Sequence, residues 1–295
     1  MLILSTAVAL LPLGTAAAHG EGEPAGSVTT ASTSESAVGR QSTNPSVVRE
    51  CGTLKESTRF KLCANYPNPG GIRIKMGGPE PVFASCSTSF TVFKKGDFSK
   101  KYALTAGHCV NQGRPSVYSE SDYFGLVGDV HYTNDQDSAL VAPGPGLRLD
   151  NTVFRGDRPN STKRTLIAGI SAPGKKGRVC VGGSYTLEVC NLLVRHSKPR
   201  CYNFELRDGT KVRRCGLMTA QKSDHRVVQP GDSGGPVYEE DEDGRVNAVG
   251  IIIGGDETAG GPFPEHDVVF YRPIAEVLKD QNAELQVCGP ADICD

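Results

Sequence analysis

The stretch GDSGGP at residues 231–236 sets Ser233 between glycines that let the backbone bend sharply around its hydroxyl. Upstream, His108 lies in the stretch TAGHC, and Asp137 begins the stretch DSALV. A serine nucleophile needs a base to take its proton, and a carboxylate that orients this base and stabilises the imidazolium as it forms. The chain offers all three groups, which predicts covalent catalysis at Ser233.

These motifs resemble the catalytic signatures of trypsin-like serine proteases, and the resemblance spans residues 71–287. Their order along the chain, His then Asp then Ser, is that of chymotrypsin and not that of subtilisin or the α/β-hydrolases. The hairpin between Cys180 and Cys190 and the stretch 268–278 are most similar to bacterial, streptogrisin-like members. The resemblance implies a secreted serine endopeptidase that hydrolyses peptide bonds through an acyl-enzyme.

The short apolar runs separated by many of the 35 glycines and 19 prolines favour an all-β barrel or sandwich. The resemblance implies two six-stranded Greek-key barrels, with His108 and Asp137 on the first, Ser233 on the second and the site in the cleft between them. It also implies an oxyanion hole formed by the amides of Gly231 and Ser233. Only the tail 273–285 has helical spacing, which predicts a C-terminal helix.

Three alternatives to this reading remain open in the sequence. Asp135 lies two residues before Asp137 and offers another carboxylate, although only Asp137 is followed by an apolar strand. The serine motif also fits G-x-S-x-G, with Asp256 and His266 following in α/β-hydrolase order, but that elbow must open into a helix and the stretch 236–238 does not favour one. A catalytically inactive secreted binding protein would keep the same cleft without turnover.

The residues around the motifs depart from the family in two ways. Asp232 is expected to be buried and to need a cationic partner. Trypsins supply that partner with a new amino terminus, which the stretch GGIRI at 70–74 does not resemble, and bacterial members use an internal arginine, for which Arg178 is the nearest candidate. Ile253 stands where streptogrisin-like enzymes have a serine, so Asp137 is expected to lack that hydroxyl contact.

The wall of the pocket that binds the substrate side chain is expected on two stretches of the second barrel. Its residues would be Arg226, Val227, Val228, Ile253, Gly254 and Gly255. Streptogrisin-like enzymes close this wall with a disulfide, and neither Val228 nor the stretch 256–261 carries its cysteines. The wall is therefore expected to be looser.

The ten cysteines are an even number without a C-x-x-C pair, which together with an export signal favours disulfides over zinc. Their connectivity is open from sequence alone. Pairing neighbours in order would join Cys51 to Cys63, Cys86 to Cys109, Cys180 to Cys190, Cys201 to Cys215 and Cys288 to Cys294. The resemblance implies the second of these bridges.

The chain divides into four predicted regions. Residues 1–18 combine an apolar run with a small-residue end, which is typical of a signal peptide and predicts a secreted, extracellular protein. Residues 19–70 are expected to form a disordered linker or short pro-segment with a Cys51–Cys63 loop. The protease domain would span 71–287, and 288–295 would be a short tail.

The formal net charge of −1 predicts no overall attraction to nucleic acid or to a membrane. The resemblance implies protein or peptide substrates, and we expect a monomer. No H-E-x-x-H or C-x-x-C motif occurs, so we expect no metal and no cofactor. The acidic run 239–243 is predicted to be a solvated hairpin tip, and the basic cluster 211–214 is predicted to be solvated as well.

Overall fold

The computed structural model describes residues 3–4, 50–76, 85–110, 115–172, 177–206, 210–223, 225–256 and 267–287. Within them the chain is mostly β-strand, with one helix. The strands are β1 Ile3–Leu4, β2 Asn68–Gly70, β3 Arg73–Met76, β4 Cys86–Ser87, β5 Thr91–Lys94, β6 Asp97–Thr105, β7 Ser116–Ser119, β8 Asp122–Tyr132, β9 Asp137–Pro143, β10 Leu149–Phe154, β11 Arg164–Ile170, β12 Arg178–Gly183, β13 Leu187–Val194, β14 Arg200–Leu206, β15 Lys211–Gln221, β16 Pro236–Glu240, β17 Val246–Asp256, β18 Val268–Pro273 and β19 Ala283–Leu285. The helix is α1, Ile274–Asp280, and two short 3₁₀ turns cover Leu54–Glu56 and Gly107–Cys109.

The second half of the chain forms a closed barrel of six strands. Around the ring, β12 pairs with β13, β13 with β15, β15 with β18, β18 with β17, β17 with β16, and β16 with β12 again. After β15 the chain crosses to β16 beside β12 and returns through β17 to β18. This crossing is a Greek-key connection.

The first half forms a barrel with the same order of strands. The ring runs from β3 through β7, β8, β9 and β6 to β5. It is closed by the bent segment 86–94, whose first part (β4) pairs with β3 and whose last part (β5) pairs with β6. The structure confirms the predicted all-β fold of two six-stranded barrels with a C-terminal helix.

Additional strands decorate the two barrels. The β10–β11 hairpin connects them, and β11 pairs in parallel with β17 while β2 pairs in parallel with β10. At the other end of the second barrel, β14 extends β15, and the short β1 pairs in parallel with β14. No helix among the described ranges is long and apolar enough to cross a membrane.

Strands β17 and β18 of the second barrel consist almost entirely of apolar residues, and their packing explains why. Side chains of a strand alternate between its two faces. Ile252 and Val269 face the core of the second barrel, while Ile251 and Phe270 belong to the larger core that continues into the rest of the molecule. Both faces of these strands are therefore covered by protein.

The predicted extent of the C-terminal helix is wrong at its end. The helix stops at Asp280, and Asn282 adopts a left-handed conformation with φ 47°. This turn redirects Ala283–Leu285 into β19, which pairs antiparallel with β5. Leu285 is buried as the helical pattern required, but it is buried as part of a strand.

The acidic run 239–243 lies at the predicted hairpin, but one of its residues is not solvated. The turn between β16 and β17 contains Asp241, Asp243 and Gly244. Glu239, however, is buried, and it accepts a hydrogen bond from the hydroxyl of Ser171 at 2.8 Å. Glu239 is part of strand β16 and not of the turn, so its carboxylate is buried against the protein instead of exposed at the end of the hairpin.

Among the described residues, four disulfides join cysteines that are neighbours along the chain. The pairs are Cys51–Cys63, Cys86–Cys109, Cys180–Cys190 and Cys201–Cys215. The fifth predicted pair, Cys288–Cys294, lies outside the described residues, as do the tail 288–295 and nearly all of the predicted signal peptide.

Replacing both Cys86 and Cys109 by serine should lower the free energy of unfolding by about 3 kcal/mol, since the bridge closes a loop of 23 residues and restricts the unfolded chain. Denaturant titration of both proteins under non-reducing conditions measures this difference. A midpoint equal to that of the wild type would contradict it.

Candidate active site

His108 and Asp137 are brought together by strand pairing in the first barrel. His108 lies in the 3₁₀ turn that follows β6, and Asp137 is the first residue of β9, which pairs with β6. The ring nitrogen Nδ1 of His108 lies 2.8 Å from Oδ2 of Asp137, and the backbone N–H of His108 donates to Oδ1 at 2.9 Å. The side chains are 5 % and 4 % exposed. The carboxylate thus fixes both the ring and the backbone of the histidine.

The surroundings of Asp137 favour its ionised form. Burial alone would raise the pKa of Asp137, but the charge and the hydrogen bonds of His108, together with the charge of Arg214, outweigh it and lower that pKa below its ordinary value. Arg214 reaches this region from β15 of the second barrel. Its Nη1 donates to the carbonyl of Thr133 at 2.6 Å, and its guanidinium carbon lies 4.3 Å from the ring centroid of Tyr132.

Ser233 lies in the segment 229–235, which we call the nucleophile loop. Its carbonyl accepts a hydrogen bond from the amide of Ser87 at 2.8 Å, which ties the loop to the first barrel beside Cys109. Its hydroxyl donates to the carbonyl of Ile253 at 3.5 Å. The nucleophile loop therefore sits against the turn that carries His108.

Two amides of the nucleophile loop point to no acceptor within the described residues. Those of Asp232, Gly234 and Gly235 each donate to a backbone carbonyl, whereas those of Gly231 and Ser233 have no acceptor there. Gly231 has a φ of 102°, which L side chains rarely adopt. A Cβ atom on it would also lie 2.4 Å from the ring of Tyr185, so only glycine fits.

The expectation that Arg178 partners Asp232 is wrong. Arg178 is exposed and donates to the carbonyl of Asn191 at 3.0 Å. Asp232 is fully buried and accepts from the backbone amides of Tyr185 at 2.7 Å and Gln229 at 2.9 Å, and from that of Thr186. Burial raises the pKa of Asp232, and these hydrogen bonds offset part of that effect. Backbone donors hold this carboxylate because β12 turns back into β13 directly beside it.

The six residues predicted to form a substrate wall have different environments. Val227, Val228 and Ile253 are buried in apolar cores, and Gly255 is buried as well. Arg226 is exposed and donates to the side chain of Gln229 at 3.3 Å. Gly254 is half-buried at the end of β17.

The structure separates the rival residues from this arrangement. Asp135 is exposed, whereas Asp137 contacts His108. The residues after the serine motif form strand β16 and not the helix that an α/β-hydrolase elbow requires. His266 lies outside the described residues.

In the part of the chain that the structure describes, two groups of His, Cys and Glu side chains lie close enough to suggest metal ligands. They are Cys86 with His108 and Cys109, and Cys180 with Glu188 and Cys190. The cysteines of each group are joined in a disulfide and have no thiolate to offer. These groups are therefore not metal sites.

Sequence reasoning missed Arg214, which was expected to be solvated within the basic cluster 211–214. It is buried, and it bridges β15 to the segment before Asp137. No local signal marked it, because Arg213, its neighbour in the same basic cluster, is exposed.

The chain belongs to the trypsin family, whose family model, described as Trypsin, matches residues 97–278. It is a serine endopeptidase, and its substrates are proteins or peptides. No curated protein matches the chain.

Solved structures of bacterial proteases share the fold. The Nocardiopsis protease NAPase is 23% identical with a TM-score of 0.55, and the alignment covers 74% of this chain and 98% of that chain. Thermobifida fusca protease A is 23% identical with a TM-score of 0.55 and coverage of 75% and 98%. Cellulomonas bogoriensis chymotrypsin is 23% identical with a TM-score of 0.54 and coverage of 76% and 100%.

Proposed function

We propose that Ser233, His108 and Asp137 form the catalytic triad of this endopeptidase. The observation that carries the proposal is the double contact of Asp137 with His108, through Nδ1 at 2.8 Å and the backbone amide at 2.9 Å. This contact leaves Nε2 of His108 as the ring nitrogen that can accept a proton. The nucleophile loop beside it supplies the hydroxyl.

In this mechanism the hydroxyl oxygen of Ser233 attacks the carbonyl carbon of the scissile peptide bond, while His108 takes the hydroxyl proton. The negative charge that develops on the carbonyl oxygen is met by the amides of Gly231 and Ser233, which have no other acceptor among the described residues. His108 then gives its proton to the leaving amine, and the peptide bond breaks. A water molecule repeats these steps on the acyl-enzyme and releases the carboxylic acid.

We also propose that the enzyme acts outside the cell as a monomer. The apolar start of the sequence, residues 1–18, has the pattern of an export signal. Four disulfides among the described residues fit an oxidising compartment.

Labelling with a fluorophosphonate tests the triad, because this reagent reacts with a serine that a base has activated. The purified wild type should be modified at Ser233, as located by mass spectrometry of the labelled peptide. The Ser233→Ala variant should remain unlabelled, and Ser138→Ala, which changes a buried serine beside Asp137, serves as the labelled control.

Absence of label on the folded, disulfide-bonded wild type would contradict the proposed mechanism. It would favour a secreted binding protein that keeps the cleft without turnover. Label on a serine other than Ser233 would reassign the nucleophile.

A further inference from the structure

The loop closed by Cys51 and Cys63 packs deeply into the molecule. Cys63 and Leu62 are fully buried, and Leu62 belongs to the main core. The side chain of Arg59, from the same loop, is 0 % exposed. A buried arginine stays protonated, so the loop carries a positive charge into the interior.

The guanidinium of Arg59 ends beside the segment that holds Asp232. Its Nη1 donates to the carbonyl of Gly182 at 3.0 Å, and its Nη2 donates to that of Phe154 at 3.0 Å. The next residue, Gly183, lies against the carboxylate, since a Cβ atom on it would be 2.3 Å from the Asp232 side chain. Arg59 and Asp232 therefore flank the same dipeptide.

Asp232 is the carboxylate near Arg59 that has no other cation. Glu188 is also close, but it is ion-paired with Arg155. Within the described residues Asp232 forms hydrogen bonds with backbone amides and makes no ion pair. Burial lowers the pKa of Arg59, while Tyr238, Glu188 and Asp232 act in the opposite direction.

The next residue of the loop, Phe60, reaches the nucleophile loop by a second route. The guanidinium carbon of Arg73 lies 4.1 Å from the ring centroid of Phe60 and 3.6 Å from that of Tyr185. Tyr185 in turn packs on Gly231, and its amide donates to Asp232 at 2.7 Å. A continuous stack thus runs from the loop to Gly231, whose amide has no acceptor among the described residues.

We propose that the segment Cys51–Cys63 is a positioning element of the active site, in which Arg59 supplies the positive charge for buried Asp232 and Phe60 anchors the stack that fixes Gly231. This inference rests on the proposed role of the Gly231 and Ser233 amides. Arg59 and Phe60 do not touch the substrate. They act by holding the nucleophile loop in the geometry that receives the developing negative charge.

The test compares Arg59→Gln with Arg164→Gln. Both arginines are largely buried and lie over the ring of Phe154, at 5.7 Å and 5.4 Å, but Arg164 donates to Pro67 and Asp150, away from Asp232. We expect Arg59→Gln to lower kcat on a fluorogenic peptide by about 10²-fold without changing KM, because a small displacement of catalytic groups has effects of this size. Arg164→Gln should leave kcat unchanged, and Arg59→Lys should recover part of the loss.

Two further measurements separate positioning from general damage. Arg59→Gln should weaken binding of a peptide trifluoromethyl ketone, which forms an oxyanion at Ser233, more than binding of the cleaved peptide product. Phe60→Leu, at a half-buried site, should also lower kcat and weaken binding of the trifluoromethyl ketone. If Arg59→Gln does not fold, this variant tests the proposal in its place.

Equal kcat values for Arg59→Gln and Arg164→Gln, or a change confined to KM, would overturn the inference while leaving the triad intact. A wild type without turnover or label would instead overturn the proposed function, and the inference with it.

Discussion

Replacement of His108 by alanine should lower kcat by about 10⁶, as loss of the base in a serine triad does. The proposed base would then be missing, and the carbonyl of Ile253, to which the hydroxyl of Ser233 donates, cannot take its proton at neutral pH. Steady-state kinetics on a fluorogenic peptide measures the loss. The residual rate should still exceed that of the reaction in water, because the amides of Gly231 and Ser233, which have no acceptor in the described part of the chain, remain.

His196→Ala is the matched control for this variant. His196 follows β13 of the second barrel, whereas His108 lies in the 3₁₀ turn that follows β6 of the first barrel. Its replacement should leave kcat unchanged. A His108→Ala enzyme that retained more than a hundredth of the wild-type kcat would exclude His108 as the base.

The Asp137→Asn variant should lower kcat by about 10⁴. Both carboxylate oxygens accept from His108, one from the ring and one from the backbone. An amide can accept with only one atom and presents a donor with the other, so the ring is driven to the tautomer that cannot take the Ser233 proton. Kinetics and fluorophosphonate labelling should both show the loss, while Asp135→Asn should behave as the wild type.

The same carboxylate affects acid stability in a defined direction. The pKa of Asp137 in the folded protein lies below its ordinary value of 3.8, so the folded state binds this proton more weakly than the unfolded chain does. The stability it contributes is fully present above that ordinary pKa and is lost as the pH falls through the folded pKa. Urea titrations between about pH 5 and pH 2 should show a shallower loss for Asp137→Asn than for the wild type. A parallel loss in both proteins would contradict this assignment.

The sequence was sufficient for the parts of the molecule that depend on short motifs. His108 and Ser233 stand in extended matches to known signatures, and the pairing of β6 with β9 places Asp137 in contact with His108 on the first barrel. The catalytic roles of the three residues stay a prediction. The two barrels followed from the same resemblance. The disulfide connectivity was open from sequence alone, and the described residues pair neighbouring cysteines in order.

The parts that depend on distant packing were not predictable. The helical spacing of the tail required Leu285 to be buried, but burial against β5 as a strand satisfies the same requirement. Asp232 was expected to need a cationic partner in contact with it. Backbone amides of Tyr185, Thr186 and Gln229 surround its carboxylate instead. The local sequence does not predict these donors, because any residue type supplies a backbone amide. Arg59 precedes the predicted protease domain and is far from Asp232 in sequence, so their proximity becomes visible only in the folded chain.

The pairing of β19 with β5 joins Leu285 to Val92, which binds the last described strand to the barrel that is synthesised first. A ribosome releases the amino-terminal half long before this partner exists. During that interval β5 presents an unpaired edge, which is a surface that other chains can extend by β-pairing. This edge of β5 therefore stays open to such pairing until residues 283–285 have left the ribosome and β19 can cover it.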